Sequence, residues 1–211
     1  AGGAGEQAWL IGVGTASAHG VEVPDLRLVR GARFGSAFNP ADVQRLPWGS
    51  LTLALRAPEG ELQPDITLET PHNDLMDVQY QGPENWGSGR RTFNQLLNVG
   101  RYPFSLLNPA PDSRPWQNSG TYFDPARSGE GLFVQQFSNG SRFDSVITWF
   151  TFDKTGNPMW LQGIGSVQNN TLIVDLVRPV GTLFGEDFNA ADVQRRDWGT
   201  ATLQFDGCDL A

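Results

Sequence analysis

The residues best suited to chemistry lie in one dense stretch, residues 119–132, where Asp124 and Glu130 flank a predicted turn. Two carboxyl groups held roughly 5 to 9 Å apart can hydrolyse a glycosidic bond. The same residues also suit a structural role, in which Asp124 caps the turn, Arg127 pairs with Glu130 and the glycines allow a tight backbone. The sequence favours the structural role and predicts no catalytic residue.

Two other groups of side chains have types that could do chemistry. His72 has carboxylates nearby, as a general base would, but no serine or cysteine nucleophile motif accompanies it, and a solvated loop is favoured. Asp187, Asn189 and Asp192 offer the oxygen ligands that calcium prefers. A closely similar segment earlier in the chain has Ala37 where this one has Asp187, which favours capping over coordination.

The composition excludes several classes of function. The 211 residues carry 15 Lys+Arg against 23 Asp+Glu, a net charge of −8, so no basic surface is available to displace counterions from a nucleic acid. No apolar run approaches the ~20 residues of a membrane-spanning helix. One cysteine, Cys208, and two histidines leave no zinc cluster and no disulfide framework. We expect no nucleic-acid partner, no membrane insertion, no metal and no cofactor.

The strongest signal is an internal duplication. Residues 9–14 reappear as residues 160–165, and residues 34–53 reappear as residues 184–203 with most positions identical. The spacing of the two blocks differs by one residue, and we place this slip in the hairpin and loop between them, where insertions are tolerated. A period of about 150 residues indicates a duplicated module of domain size.

The duplication predicts three segments: a first β module over residues 1–101, a proline-rich linker over 102–117, and a second β module over 118–211. Neither copy is whole in this sequence, because the first lacks a counterpart of residues 119–158 and the second lacks counterparts of residues 58–115. Three explanations compete. The chain is a fragment of a longer repeat protein, or two halves pack into one fold, or neighbouring molecules supply the absent strands.

Short alternating apolar runs between turn residues predict an all-β fold, an antiparallel sandwich or barrel built from the duplicated module. One-turn helices capped by Asn39 and Asn189 precede the Trp-Gly strands. Pro24 lacks a ladder donor, so its strand is predicted to lie at a sheet edge or to carry a bulge.

Seven tryptophans are present. Trp48 and Trp198 begin matching strands, so we expect them to pack between sheets. Trp86 and Trp116 lie among loop residues, and with Tyr122 they are the candidates for flat platforms that bind sugar rings.

The stretch 119–132, followed by Trp149-Phe-Thr-Phe-Asp, resembles the Ser-Gly-x-Trp-Tyr-x-Pro-x-Arg-Ser-Gly-Glu-Gly-Phe and Trp-Tyr-Thr-Tyr-Asp pattern of repeat modules in secreted or surface proteins of proteobacteria, a group with no established activity. A shorter likeness is to the Gly-Thr-Trp-Tyr opening strand of avidin-type barrels, from which Tyr122 departs. The first resemblance implies a bacterial extracellular or cell-surface location, which requires an export signal that has been cleaved.

These observations predict a non-enzymatic extracellular β protein that forms homo-oligomers through its edge strands, as a surface or filament subunit would. One alternative is a carbohydrate-binding module with a polysaccharide partner. A second alternative is a glycoside hydrolase-like enzyme that uses Asp124 and Glu130.

Overall fold

The computed structural model describes residues 5, 7–17, 20–56, 75–84, 86–94, 118–139 and 142–205. Within them the chain forms two six-stranded sheets, each with all of its neighbouring strands antiparallel. The N-terminal sheet contains β1 (Leu10–Ile11), β2 (Thr15–Ser17), β3 (Gly20–Arg30), β4 (Gln44–Arg56), β5 (Leu75–Gln81) and β6 (Ser88–Asn94). The C-terminal sheet contains β7 (Gly120–Tyr122), β8 (Gly131–Asn139), β9 (Arg142–Phe152), β10 (Pro158–Gln168), β11 (Thr171–Val180) and β12 (Gln194–Gln204).

Helical structure in the described residues is limited to single 3-10 turns, at Gly35–Ala37, Pro40–Asp42, Pro125–Arg127, Gly185–Asp187 and Ala190–Asp192. The side chains of Asn39 and Asn189 each accept a hydrogen bond from the backbone N–H two residues on, as helix caps do. None of these turns is long and apolar enough to cross a membrane. The predicted all-β fold with one-turn helices before the Trp-Gly strands is confirmed.

Both sheets are meanders, and the duplication relates them strand by strand. The order is β1-β3-β4-β5-β6 in one sheet, with β2 also on β3, and β12-β11-β10-β9-β8-β7 in the other. By sequence, β1 and β2 together correspond to β10, β3 corresponds to β11, and β4 corresponds to β12. The N-terminal sheet then continues through β5 and β6, whereas the C-terminal sheet extends on the opposite side through β9, β8 and β7.

Trp48 and Trp198 occupy equivalent β-bulges. The β3–β4 ladder pairs Gly49 and then skips Trp48. The β11–β12 ladder pairs Gly199 and then skips Trp198. A bulge adds one residue to a strand, increases its local twist and changes the direction of its side chain. Each tryptophan is therefore placed by the backbone of its own strand.

The strand that contains Pro24 carries a bulge and is not an edge. β3 lies between β4 on one side and β1 with β2 on the other. Its register against β4 shifts between Val23 and Leu26, and on the other side three residues, 12–14, face the four residues 23–26. Because proline has no N–H to donate, the extra residue sits where the ladder already lacks a donor.

This bulge also accounts for the one-residue difference between the two copies. Val23 matches Val174 and Leu26 matches Leu176, so the first copy has one residue more between its two inward-facing side chains. The slip therefore lies within the hairpin, in its second strand, and not in the loop that follows. The strand accommodates the extra residue because a bulge leaves the pairing on both sides of it intact.

Among the described residues, the largest apolar core belongs to the C-terminal sheet. Alternate residues of β11 point inward, and they pack with side chains of β8, β9 and β10 and with the residue that follows β12: Val134, Ile147, Met159, Leu161, Leu172, Val174, Leu176 and Phe205. Burying a side chain of this size contributes about 1.5 to 3 kcal/mol.

Gly163 on β10 lets β11 approach closely. A Cβ atom at this position would lie 2.5 Å from the carbonyl oxygen of Asp175 and 2.6 Å from a methyl carbon of Val174. Both contacts are too short, so only glycine allows this packing.

We expect Gly163→Ala to lower the free energy of unfolding by about 1 to 3 kcal/mol, because the added methyl group must push β11 away from β10. Chemical denaturation followed by circular dichroism measures the change. Gly120→Ala is the matched control, since its Cβ atom would meet nothing closer than 3.8 Å. Equal stability of the two variants would contradict this account of β10 and β11.

Candidate functional site

Two loops of matching sequence carry side chains from one sheet to the other. The first loop is residues 34–38 and the second loop is residues 184–188. Each begins with phenylalanine and then glycine, and Gly35 and Gly185 have φ values of +74° and +80°, which residues with a side chain rarely adopt. A single 3-10 turn begins at each glycine. The backbone therefore projects Phe34 and Phe184 in the same way from the two copies.

Phe34 of the first copy packs on two tryptophans of the second copy. Its ring centroid lies 5.3 Å from that of Trp149 on β9 and 5.2 Å from that of Trp198 on β12. The Trp198 ring is nearly perpendicular to the Phe34 ring, which is a favourable arrangement for aromatic pairs. The first loop thus covers part of the C-terminal sheet.

Phe184 of the second copy makes the reciprocal contact. Its centroid lies 6.0 Å from Trp48, 5.0 Å from Tyr80 and 5.2 Å from Trp86, all in the N-terminal sheet or its β5–β6 turn. The pair Phe184–Trp48 is equivalent to the pair Phe34–Trp198. The two copies therefore exchange equivalent side chains, as subunits do at a twofold interface.

The charged motif of residues 124–130 holds the first loop in place. The Arg127 Nε donates to one carboxylate oxygen of Glu130, and Thr151 Oγ1 donates to the other at 2.7 Å. Arg127 also donates from Nη2 to the carbonyl oxygen of Gly35 at 3.2 Å, and its guanidinium carbon lies 4.3 Å from the ring centroid of Phe38. We call Arg127, Glu130 and Thr151 the arginine clamp.

The two carboxylates first considered for catalysis both make structural hydrogen bonds, Glu130 in the clamp and Asp124 outside it. Glu130 has only 9% of its side chain exposed, and both of its oxygens accept hydrogen bonds. Asp124 caps the turn by accepting from the N–H of Ala126 at 2.8 Å. This arrangement suits Glu130 to orienting Arg127 rather than to activating water.

Backbone hydrogen bonds join the copies beside the clamp. The N–H of Gly31 donates to the carbonyl oxygen of Gly156 at 2.9 Å, and that of Phe34 donates to the carbonyl oxygen of Asp153 at 3.3 Å. The turn that supplies these acceptors is organised by the Asp153 carboxylate, which accepts from the N–H groups of Thr155 and Asn157 at 2.8 and 3.0 Å. The order of the turn therefore supports the interface.

A glutamine side chain replaces a peptide group in the C-terminal sheet. The β10–β11 pairing ends at Gln162 and Val177, and the same register continued by two residues would bring Trp160 level with Pro179, which has no N–H to donate. Gln7 donates from Nε2 to the carbonyl oxygen of Trp160 at 2.8 Å, and its Oε1 accepts from the N–H of Trp160 and from Arg178. The N-terminal segment is thereby anchored to the second copy.

A second apolar cluster lies between the copies. Trp9, Val29 and Ala32 from the N-terminal copy surround Phe152 of β9. The indole Nε1 of Trp9 donates to the carbonyl oxygen of Thr151 at 3.1 Å. The members of this cluster come from both copies, so it forms only when the copies are together.

The sugar-platform residues are not brought together in the described part of the chain. Trp86 is partly buried between Trp48 and Phe184. Tyr122 packs against the main core, and its hydroxyl donates to the carbonyl oxygen of Asn118 at 2.8 Å. Trp116 lies outside the described residues.

One of the residues considered as calcium ligands has a capping role in the structure. Asn189, considered as a calcium ligand with Asp187 and Asp192, uses its side-chain oxygen to cap Ala190–Asp192. No group of three or more His, Cys, Asp or Glu side chains in the described residues is arranged to hold a metal ion. His72, Cys208 and the predicted linker lie outside the part of the chain that the structure describes.

Sequence reasoning missed Phe34, Phe38, Phe184 and Gln7 as interface residues. A signal was present for the phenylalanines, because each recurs in the duplicated block at a position before the strand, outside its alternating pattern. Gln7 lies beside the repeated tryptophan block, and no spacing marks it.

We expect Phe34→Ala to reduce the free energy of unfolding by about 2 to 4 kcal/mol, since the contacts with Trp149 and Trp198 are lost. Denaturation followed by tryptophan fluorescence reports both the stability and the two exposed indoles. Phe123→Ala, at an exposed ring, is the control and changes stability by less than about 0.5 kcal/mol. A stable Phe34→Ala variant would show that the exchange is dispensable.

We expect acid to weaken the turn that Asp153 organises. Burial alone raises the pKa of Asp153, but hydrogen bonds from Thr155 and Asn157 outweigh it and hold the pKa below its ordinary value of 3.8. The charged form therefore stabilises the fold above pH 3.8, and this stability is lost as pH falls through the lowered pKa. We expect the stability difference between wild type and Asp153→Asn to shrink below pH 3.8 in denaturation at graded pH. A difference that stays constant down to full acid unfolding would contradict it.

Comparison with known proteins identifies no relative of this chain. Neither a family model, nor a curated protein, nor a solved structure matches the chain. The resemblance to proteobacterial repeat modules stays a prediction. The interface between the two copies is the candidate functional site of the described residues.

Proposed function

We propose that this chain is a non-enzymatic structural protein that assembles with other β modules by adding strands at its sheet edges. The observation that carries the proposal is the difference between two equivalent tryptophans. Trp48 is 3% exposed, whereas Trp198 is 37% exposed. The Trp-Gly pair and the bulge are the same at both, so we ascribe the difference in exposure to what covers each indole.

The cover at Trp48 is the hairpin of β5 and β6. β5 pairs with β4 along seven residues, and Tyr80 and the following turn pack on the indole. A Cβ atom at Gly49 would lie 1.8 Å from the carbonyl oxygen of Gln81. At Gly199, the equivalent position, no atom lies within 4 Å. Among the described residues, β12 pairs with β11 alone.

The second half of β12, residues 199–204, is suited to accept a strand. Monomeric proteins protect their edge strands with lysine, proline, bulges or a cover. β12 has arginines and a bulge in its first half, but residues 199–204 carry no charge, no proline and two β-branched threonines, Thr200 and Thr202. An exposed edge of this composition offers backbone donors and acceptors in a row, which is the basis of strand addition.

The site geometry supports a role in assembly over catalysis. The Arg127–Glu130 pair contacts the first loop. Of the sugar-platform candidates, Trp86 contacts the second loop and Tyr122 contacts the core. An extracellular or cell-surface location is part of the proposal and rests on the resemblance of residues 119–132 to secreted repeat modules.

We expect the wild-type chain to form larger species as its concentration rises in sedimentation velocity, and Thr202→Lys to remain monomeric. A lysine on the open edge opposes a neighbouring strand by its charge and its hydration. Thr52→Lys is the matched control, because Thr52 occupies the same position on β4 with strands on both sides and Glu22 opposite. We expect this control to assemble as the wild type does.

A wild-type chain that stays monomeric over the whole concentration range would overturn the assembly proposal. If that monomer is also retarded on an immobilised polysaccharide, the carbohydrate-binding alternative takes its place.

A further inference from the structure

We propose that the second loop is a docking surface for another β module that carries an arginine clamp like that of Arg127. The inference rests on the proposal that the chain associates with modules of its own type, and it names the partner. It concerns Phe188 and the acidic residues beside it, which are distinct from the edge of β12.

The first loop shows how this sequence docks. Phe38 is partly buried, with its ring 6.1 Å from that of Phe152 and beneath the Arg127 guanidinium. Phe188 is the equivalent residue of the second loop, and it is 55% exposed. The same loop sequence thus has a partner in one copy and an uncovered ring in the other.

The second loop already has the docked backbone conformation. Phe38 has φ −66° and ψ 126°, and Phe188 has −64° and 123°. The following asparagines, Asn39 and Asn189, agree within 2°. Because the loop needs no rearrangement, a partner would bind it without the cost of ordering it.

Charge indicates that the partner presents an arginine. The first loop has Ser36 and Ala37 in its turn, and the second has Glu186 and Asp187. No ion pair to either carboxylate occurs among the described residues. Arg91 of β6 donates to the carbonyl oxygen of Gly185, so it fills the backbone contact that Arg127 makes in the first copy. The ring and the two carboxylates remain open to a second guanidinium, which binds both aromatic faces and carboxylates.

The strand that would accompany this arginine has a place to pair. Phe38 packs on Phe152 of the second copy, which lies on β9, the neighbour of β10. The counterpart of β10 in the first copy is β1 with β2, and its other side has no neighbour among the described strands. Ile11 and Val13 lie along this segment, and Val13 is 89% exposed. A module of this type therefore fits the loop and the edge together.

The test uses a labelled synthetic peptide with the sequence of residues 119–158, which contains the clamp motif and the β9 strand, titrated into the full chain and followed by fluorescence anisotropy. We expect saturable binding of one peptide per chain, and about tenfold weaker binding to Phe188→Ala. An Arg127→Ala peptide should weaken binding to a similar extent. Ile173→Ala, at another exposed apolar side chain, is the control for general adhesion and should bind as the wild type does.

Absence of binding overturns the inference, as does equal binding to wild type and Phe188→Ala. The Thr202→Lys chain separates this result from the proposed function. Retained peptide binding with lost self-association supports two independent surfaces. Intact self-association of the wild type, abolished by Thr202→Lys, with no peptide binding would leave the β12 proposal standing and remove this one.

Discussion

The exchange of Phe34 and Phe184 between the sheets is the contact on which the arrangement of the two copies depends. Each ring leaves its own copy at a glycine with positive φ and packs against the bulge tryptophan of the other. Aromatic packing of this kind is worth more than the buried area alone. Because the contact is made twice with equivalent residues, neither sheet can move relative to the other without losing both.

The Arg127–Glu130 ion pair adds directional hydrogen bonds to this packing. An ion pair removed from water gives little net stability unless further hydrogen bonds compensate for the lost hydration. Around Arg127 and Glu130 that compensation comes from Thr151 and from the carbonyl oxygen of Gly35. The first loop presents both the Gly35 carbonyl group and the Phe38 ring to the Arg127 guanidinium. The motif that first suggested hydrolysis therefore contacts a loop of the other copy.

Local features of the fold could be read from the sequence, and the interface could not. Alternating side chains in β11 and the caps at Asn39 and Asn189 follow from neighbours a few residues apart, so their patterns are visible in one dimension. The contact of Phe34 with Trp198 joins residues far apart in the chain, and both residues suit an ordinary core equally well. Gln7 is harder still, because a side-chain amide that substitutes for a peptide group depends on a proline in a distant strand.

The irregular pairing around Pro24 has a consequence for strand exchange between the duplicated modules. Tandem copies with similar strands are prone to exchange them during folding, since either copy offers a near-equivalent partner. In the first copy, three residues between β1 and β2 face four in β3, whereas β10 and β11 face each other with equal numbers. By sequence, residues 163–165 of β10 match residues 12–14, so β10 paired with β3 would also set three residues against four. The bulge is therefore a property of β3 and not of its partner, and the strand would keep its extra residue in a swapped hairpin as in the correct one.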